Sequence, residues 1–318
     1  MQHLARRRNR WYGISVILIL PGLLSLILFG LNRGIDFTGG AIWDIEFDQA
    51  VTTEQVSSVM ADNGYPDAQV QLADNSAGVA DRVAVIRLKE LQQGSPEKAA
   101  VERQLRSQVG PFTELQLDSV GSSVSADITR RSITAILIAS AGILAYIAFA
   151  FRKTSRPVVY GVCALVAMLH DVLLVLGVFS ILGRFFDVEI DALFVTAVLT
   201  VIGFSVHDTI VVFDRIRENE LRHVATTFEE TVDYSLAQTI VRSVNTSLTV
   251  IFTLLALVLF GGESTRNFVL ALLIGVISGT YSSIFNASQL LVSWEAGEIQ
   301  RFFGRFRGHS QPQAAPTR

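Results

Sequence analysis

Six stretches of this chain are apolar and long enough to cross a lipid bilayer, at residues 11–31, 133–151, 158–182, 192–213, 244–260 and 268–294. Lipid offers the backbone no hydrogen bonds, so each stretch must satisfy its own amides as a helix, and six of them predict an all-α membrane bundle. Trp11–Leu31 carries no charge along its whole length; at about 1.5 Å per residue it reaches across a hydrocarbon core of about 30 Å. Half the residues are hydrophobic and only 17% are charged, too few to solvate a soluble protein of this size comfortably. The first span is expected to be a retained anchor, because its apolar run is long and no small-residue cleavage site follows. The single Cys163 excludes a disulfide framework and argues against a metal cluster. Basic residues sit in short caps without interleaved aromatics, which argues against nucleic acid. No residue pattern calls for a cofactor.

Those basic caps set an orientation. Arg6, Arg7, Arg8 and Arg10 precede the first span; Arg152, Lys153 and Arg156 lie between the second and third; Arg215, Arg217 and Arg222 follow the fourth; Arg301, Arg305 and Arg307 follow the sixth. The connections 183–191 and 261–267 each hold one Arg beside acids. Cytoplasmic loops concentrate Lys and Arg, so the N-terminal segment 1–10 and the tail 295–318 are expected in the cytoplasm and the large loop 32–132 outside. Residues 215–241 repeat Phe228, Val232, Leu236 and Ile240 beside acids, the pattern of an amphipathic helix; it either lies along the cytoplasmic face or packs under the bundle.

The loop 32–132 reads as a domain of its own. Ala41–Phe47, Ala68–Leu72, Arg82–Leu88 and Glu114–Val120 have strand character. Thr52–Gly64 opens on a capping-box pair, Thr52 and Gln55, and Ser95–Val109 opens on Ser95 followed by Pro96. The order βαββαβ is that of an α+β ferredoxin-like split fold. It contains no His and no Cys, and its acids read as an ordinary solvated face, so no enzyme is expected here.

Two acids lie inside apolar spans. Asp208 sits in VLTVIGFSVHDTIVVFDRIRE at Val198–Glu218, and Asp171 follows His170 in the third span. A carboxylate at the centre of a bilayer costs about 2.5–3.5 kcal/mol on insertion scales, so it faces protein or water and marks either helix–helix attachment or a proton or ion path. Asp208 lies about six residues before Asp214, or about 9 Å from the cytoplasmic end. Ser205 and Thr209 are near it in sequence, and Gly203 would let a neighbouring helix approach. Its candidate cation is Arg242, which shares a helical face with Asn245 and Thr249. Arg242 either turns inward toward Asp208 or snorkels to the headgroups. His207 is either a titrating group or a packed neutral imidazole, and the His170–Asp171 pair is either a packing hydrogen bond or part of a proton path. Gly161, Gly177, Gly275 and Gly279 suit close helix contacts, while Ser282, Ser283 and Asn286 bond neighbours or face a hydrated groove.

At these residues the chain resembles the SecF family, the membrane subunits of a bacterial protein-export accessory complex. The resemblance rests on GIDFTGG at Gly34–Gly40, LHD at Leu169–Asp171, HDTIVVFDRIREN at His207–Asn219, RSVNTSLT at Arg242–Thr249 and LFGG at Leu259–Gly262. It departs at position 207, where the family usually has Asn. The resemblance implies half of a pseudo-symmetric twelve-helix bundle of the resistance–nodulation–division type in the cytoplasmic (inner) membrane, with SecD as the other half. It implies the Sec channel (SecY, SecE, SecG) as a partner, with YajC and YidC beyond it, and a translocating unfolded polypeptide as the client. It also implies that Asp208 carries protons driven by the proton-motive force, that Arg242 is its charge partner, and that Gly34, Asp36, Gly39 and Gly40 form a structural motif. Two other readings are a proton-coupled small-molecule or lipid exporter subunit and a passive assembly scaffold. The former class usually holds both halves in one chain and has larger external domains. The orientation is tested by single cysteines at Asp74 and Gln311. Only the first is expected to react with an impermeant thiol reagent in intact cells, and outside labelling at Gln311 would overturn it.

Overall fold

The computed structural model describes residues 4–74, 82–89, 91–152, 154, 156–299 and 301 of the chain. Lys153, Arg305 and Arg307 of the basic caps, and 302–318 of the expected tail, lie outside the described residues. In chain order the elements are α1 (Arg8–Phe29), α2 (Ile35–Thr38), β1 (Gly40–Phe47), α3 (Thr53–Asp62), β2 (Gln69–Ala73), β3 (Val83–Leu88), α4 (Pro96–Gln108), β4 (Phe112–Val120), α5 (Ser122–Ala150), α6 (Pro157–Phe186), α7 (Ala192–Leu221), α8 (Phe228–Phe260), α9 (Glu263–Ser282), a π-helical turn (Ser283–Ala287) and α10 (Ser288–Glu295). Six of the helices, with α9 to α10 counted as one, are long and apolar enough to cross a membrane. The chain divides into two compact units, one helical and one built on the sheet.

The sheet unit has the βαββαβ order and the strand order β2-β3-β1-β4, with every pair antiparallel. This is the ferredoxin-like arrangement. Along β1, Ala41, Trp43, Ile45 and Phe47 are fully buried, the two-residue period of a strand with one face on a core. Val56 and Met60 of α3 and Val101 and Leu105 of α4 complete that core. Thr52 accepts from the Gln55 amide and Gln55 returns the bond to the Thr52 amide, a full capping box. Ser95 caps α4 through the Lys98 amide, with Pro96 in the first turn. In β4 the register with β1 shifts between Asp44 and Ile45, leaving Leu115 as an exposed extra residue.

Glu114 departs from the solvated pattern. Lys98 is only 6% exposed; its ammonium lies 2.5 Å from Glu102 and 2.5 Å from Glu114, and 5.4 Å over the Trp43 ring. Trp43 Nε1 donates to the same Glu114 carboxylate at 3.0 Å. Burial alone would push Glu114 upward, but the hydrogen bonds from Lys98, Trp43 and Gln93 outweigh it and hold the carboxyl below its usual range.

In the helical unit, backbones meet at glycine. A Cβ on Gly22 of α1 would stand 2.7 Å from Gly177 Cα of α6, and the reverse contact is equally close. Lipid supplies little hydrophobic drive between spans, so small-residue contacts of this kind hold them together. One turn further along, Ser25 and Ser180 hydroxyls meet at 2.9 Å, and Ser180 donates to the Gly30 carbonyl at 2.6 Å.

The helix ends depart from the apolar stretches. α5 begins at Ser122, well before residue 133, and 215–241 is no separate surface helix. Arg215–Leu221 finishes α7, and α8 starts at Phe228 behind a capping box between Thr227 and Glu230. Apolarity marks where a helix meets lipid; caps mark where its hydrogen bonding stops. Val232 and Leu236 are fully buried, so this segment packs within the bundle. Asn219 ties the resulting hairpin, donating to Ser235 at 2.9 Å and Gln238 at 3.1 Å.

Gly40 stands at φ +122°, and a Cβ there would lie 2.7 Å from the Leu88 carbonyl oxygen of β3. Gly40→Val must therefore strain the backbone and part β1 from β3, at about 1–3 kcal/mol. We expect normal membrane insertion, faster proteolysis of the sheet unit and impaired export. Wild-type proteolysis and export rates would show that this turn is slack.

Candidate functional site

The most tightly built polar site in the helical unit surrounds Asp171, which has no exposed surface. Ser205 of α7 and Ser282 of α9 each lie 2.6 Å from Oδ2; Ser278 of α9 lies 2.6 Å from Oδ1, and His170 Nδ1 lies 3.0 Å from that same oxygen. A carboxylate is an acceptor with about four lone-pair positions, and four groups occupy them here. Hydroxyl contacts of 2.6 Å lie at the short end of the O–H···O range. Glycine makes the distances possible. A Cβ on Gly275 would stand 2.1 Å from a Val201 methyl, and one on Gly279 would stand 3.2 Å from Ser205 Cα and 3.7 Å from Asp171. The stripe Gly275, Ser278, Gly279, Ser282 thus forms a shelf on α9 into which α7 packs.

Asp208 is one turn along α7 from Ser205 and differs from Asp171 in kind. It is 4% exposed, yet its Oδ2 has no hydrogen-bond partner among the described residues. Arg242 does not supply one: the side chain is exposed on α8, and no ion pair joins it to Asp208. Of the two orientations open to Arg242, the side chain takes the outward one in this chain. The reason lies on α8 itself, where Ser243 and Ser247 face the bundle and Ser247 accepts from Thr280 at 2.6 Å. That turns Arg242, Asn245 and Thr249 outward together. On α7, Gly203 and His207 also face out, and Gly203 has open space where a neighbouring helix was expected. The structure therefore joins His170 to Asp171, buries Asp208, and turns His207, Arg242 and Asn245 outward.

The motif Gly34–Gly40 holds the segment before α7. Gly34 donates its amide to the Ile190 carbonyl at 2.9 Å, and a Cβ on Gly34 would come within 3.1 Å of that oxygen. Asp36 Oδ2 accepts the amide of Ala192, the first residue of α7, at 2.8 Å. It thus satisfies one of the orphan donors of that helix and places negative charge at the positive end of its dipole. Gly39, at φ +72°, would carry a Cβ 3.3 Å from Ser122 Cα.

The family described as protein export membrane protein SecD/SecF, C-terminal, matches residues 100–297, and the SecD/SecF GG motif matches residues 24–51. The chain belongs to the SecF family. It is similar to the protein translocase subunit SecF of Thermobaculum terrenum, 57% identical over 321 residues and covering all of both chains. The SecF subunit of Anaerolinea thermophila is 40% identical, with 96% of this chain and 98% of that one covered. Among solved structures, SecDF from Thermus thermophilus, titled a translocon-associated membrane protein, superposes with a TM-score of 0.76 at 31% identity. The match covers 92% of this chain and 38% of the SecDF chain. SecDF in a super-membrane-facing form gives a TM-score of 0.61 at the same identity. As a SecF-family member, the chain is a multi-pass membrane protein with an accessory role in protein export.

Ser282 was expected to bond a neighbour or face a groove, and it bonds one; the Ser278 contact to Asp171 was not foreseen, although Ser278 and Ser282 recur at a four-residue spacing alongside Gly275 and Gly279. If the caged carboxylate holds three helices together, Asp171→Leu strands several donors at about 1–3 kcal/mol each, against about 1 kcal/mol for Ser205→Ala. Thermal unfolding in detergent should therefore show a much larger loss for Asp171→Leu. Equal shifts for the two variants would contradict the cage.

Proposed function

We propose that Asp208 is the proton-carrying acid of this subunit and that it drives polypeptide export from the proton-motive force together with SecD. The observation that carries this reading is the buried Asp208 carboxyl, whose Oδ2 has no hydrogen-bond partner among the described residues, together with the outward faces of α7 and α8 bearing Gly203, His207, Arg242 and Asn245. Lipid is a poor neighbour for a guanidinium and a carboxamide, so a protein partner is the natural cover for that surface. SecD would supply it, completing a twelve-helix bundle in which Arg242 acts as the charge partner of Asp208. A cation approaching a buried acid favours its ionised form, and withdrawal of the cation favours proton uptake. One charge crossing 100 mV releases about 2.3 kcal/mol, enough to bias a two-state rearrangement.

The rest of the layout follows the same reading. Segments 1–10 and 295–318 lie in the cytoplasm, and the domain 32–132 lies outside the cytoplasmic membrane. The Sec channel (SecY, SecE, SecG), YajC and YidC are the wider partners, and the unfolded chain leaving the channel is the client. The subunit performs no covalent chemistry in this scheme.

Asp208→Asn keeps size and hydrogen bonding but cannot cycle a proton, whereas Arg242→Ala removes the cation and leaves the acid protonated. Both are expected to assemble with SecD and to lose the gradient-dependent part of export in membrane vesicles, down to the gradient-free rate. Full gradient stimulation in Asp208→Asn vesicles would end the proton role and leave a scaffold.

A further inference from the structure

Helix α7 does not begin as a loose end. α6 closes on Asp187, in the left-handed region at φ +53°, and the residues that follow, Glu189–Ala192, belong to the sheet unit. Arg33 and Ile190 form a parallel bridge, Gly34 donates to the Ile190 carbonyl, and Asp36 accepts the Ala192 amide. The sheet adds a further hold: Arg87 of β3 is ion-paired with Glu189, and both side chains are more than half buried. The approach is close, since a Cβ on Gly34 would stand 3.1 Å from the Ile190 oxygen and 3.3 Å from the Glu189 carboxylate.

No one of these contacts is strong, but they grip neighbouring residues from two other segments, so the start of α7 cannot shift or turn without breaking several at once. From that grip α7 runs without proline to Leu221, and Asp208 lies about 24 Å along it at 1.5 Å per residue. α5 also starts within the sheet unit, but its apolar stretch 133–151 holds no acid or base. Of the two helices, α7 is the one that leads from the sheet unit to an intramembrane acid. We infer that Asp36 and the Arg87–Glu189 pair are positioning residues for Asp208: they anchor α7 to the sheet unit, so that a displacement of that unit is passed along the helix to the acid. The inference rests on the proton role proposed for Asp208.

A helix start needs no such arrangement for its own sake. Caps are ordinarily local, and Asp191 stands directly before the helix, where a capping residue belongs. The Ala192 amide nevertheless bonds to Asp36, 156 positions away. A local acceptor terminates a helix, whereas a distant one ties it to another element. The tie is also charge-assisted, because the carboxylate sits at the positive end of the α7 dipole.

The test has two readouts. In the full chain in lipid bilayers, with Cys163→Ser, spin labels are placed at Ser107→Cys on α4 and Thr200→Cys on α7, both exposed positions. We expect one narrow distance between them, retained in Asp36→Asn, which keeps the acceptor, and broadened when Asp36→Ala is combined with Arg87→Ala. In unlabelled chains assembled with SecD in vesicles, the same double variant should lose most of its gradient-stimulated export per assembled complex and keep the wild-type gradient-free rate, while Asp36→Asn retains both. A role confined to capping would lower thermal stability and move neither readout. A broad distance with the anchor intact, a narrow one in the double variant, or full gradient stimulation in a double variant whose distance has broadened would each overturn the inference. Asp208→Asn, measured in parallel, separates the two claims: if it keeps full stimulation, the proton role falls and positioning falls with it, while the distance still reports the anchor.

Discussion

A carboxylate removed from water must find its hydrogen-bond donors in the protein, and at Asp171 the donors come from three helices. One is the neighbouring imidazole on α6, one is on α7 and two are on α9. Four contacts to two oxygens leave little freedom in how these helices can slide or rotate. The glycines follow from this: contacts of 2.6 Å between a serine hydroxyl and a carboxylate need close backbones, and side chains at Gly275 and Gly279 would collide with Val201 and Ser205. The placement of Asp208 is inherited from the same lock, because Ser205 fixes the turn of α7 on which Asp208 follows.

The remaining packing of the helical unit obeys the same economy. Several other span contacts run through small residues, as at Gly22–Gly177, Ser25–Ser180 and Ser247–Thr280, alongside aromatic ones such as Phe179–Phe194. Large apolar side chains such as Ile17, Ile27, Leu28 and Phe252 stay exposed, as suits residues whose solvent is lipid. Against that background the exposed Arg242 and Asn245 are conspicuous. His207 and Thr249 face outward as well, but a guanidinium is the costliest of these groups to leave in lipid, so it is better explained by a missing protein neighbour than by tolerance of lipid.

Much of the fold was legible because local rules settle it. The capping signals at Thr52 and Ser95, the alternation along β1 and the six apolar stretches each act over a few residues. What stayed hidden depends on distant partners or on rotation about a helix axis. Ser278 and Ser282 meet Asp171 from more than a hundred positions away, and no short-range pattern announces that pairing. The outward face of Arg242 is decided by Ser243 and Ser247, whose small size draws the other side of α8 against α9. Apolarity also misplaced the ends of α5, α7 and α8, since the Thr227–Glu230 box that starts α8 lies outside the lipid-like stretch. Lys98 escaped notice because its burial depends on Trp43 and Glu114, which come from two other elements.

The two intramembrane acids then divide the work by their surroundings. Asp171 has every lone pair occupied by contacts from three helices, so it serves as the joint between them. Asp208 has an oxygen with nothing to lose on protonation, and it sits beside the surface where a partner's charges can arrive. A saturated carboxylate suits a structural joint, and under the proposed function the unsaturated one is the carrier. The same residue type in adjacent helices of one apolar core thereby serves opposite ends, and the difference traces to two serines on α9 and the glycines that let them in.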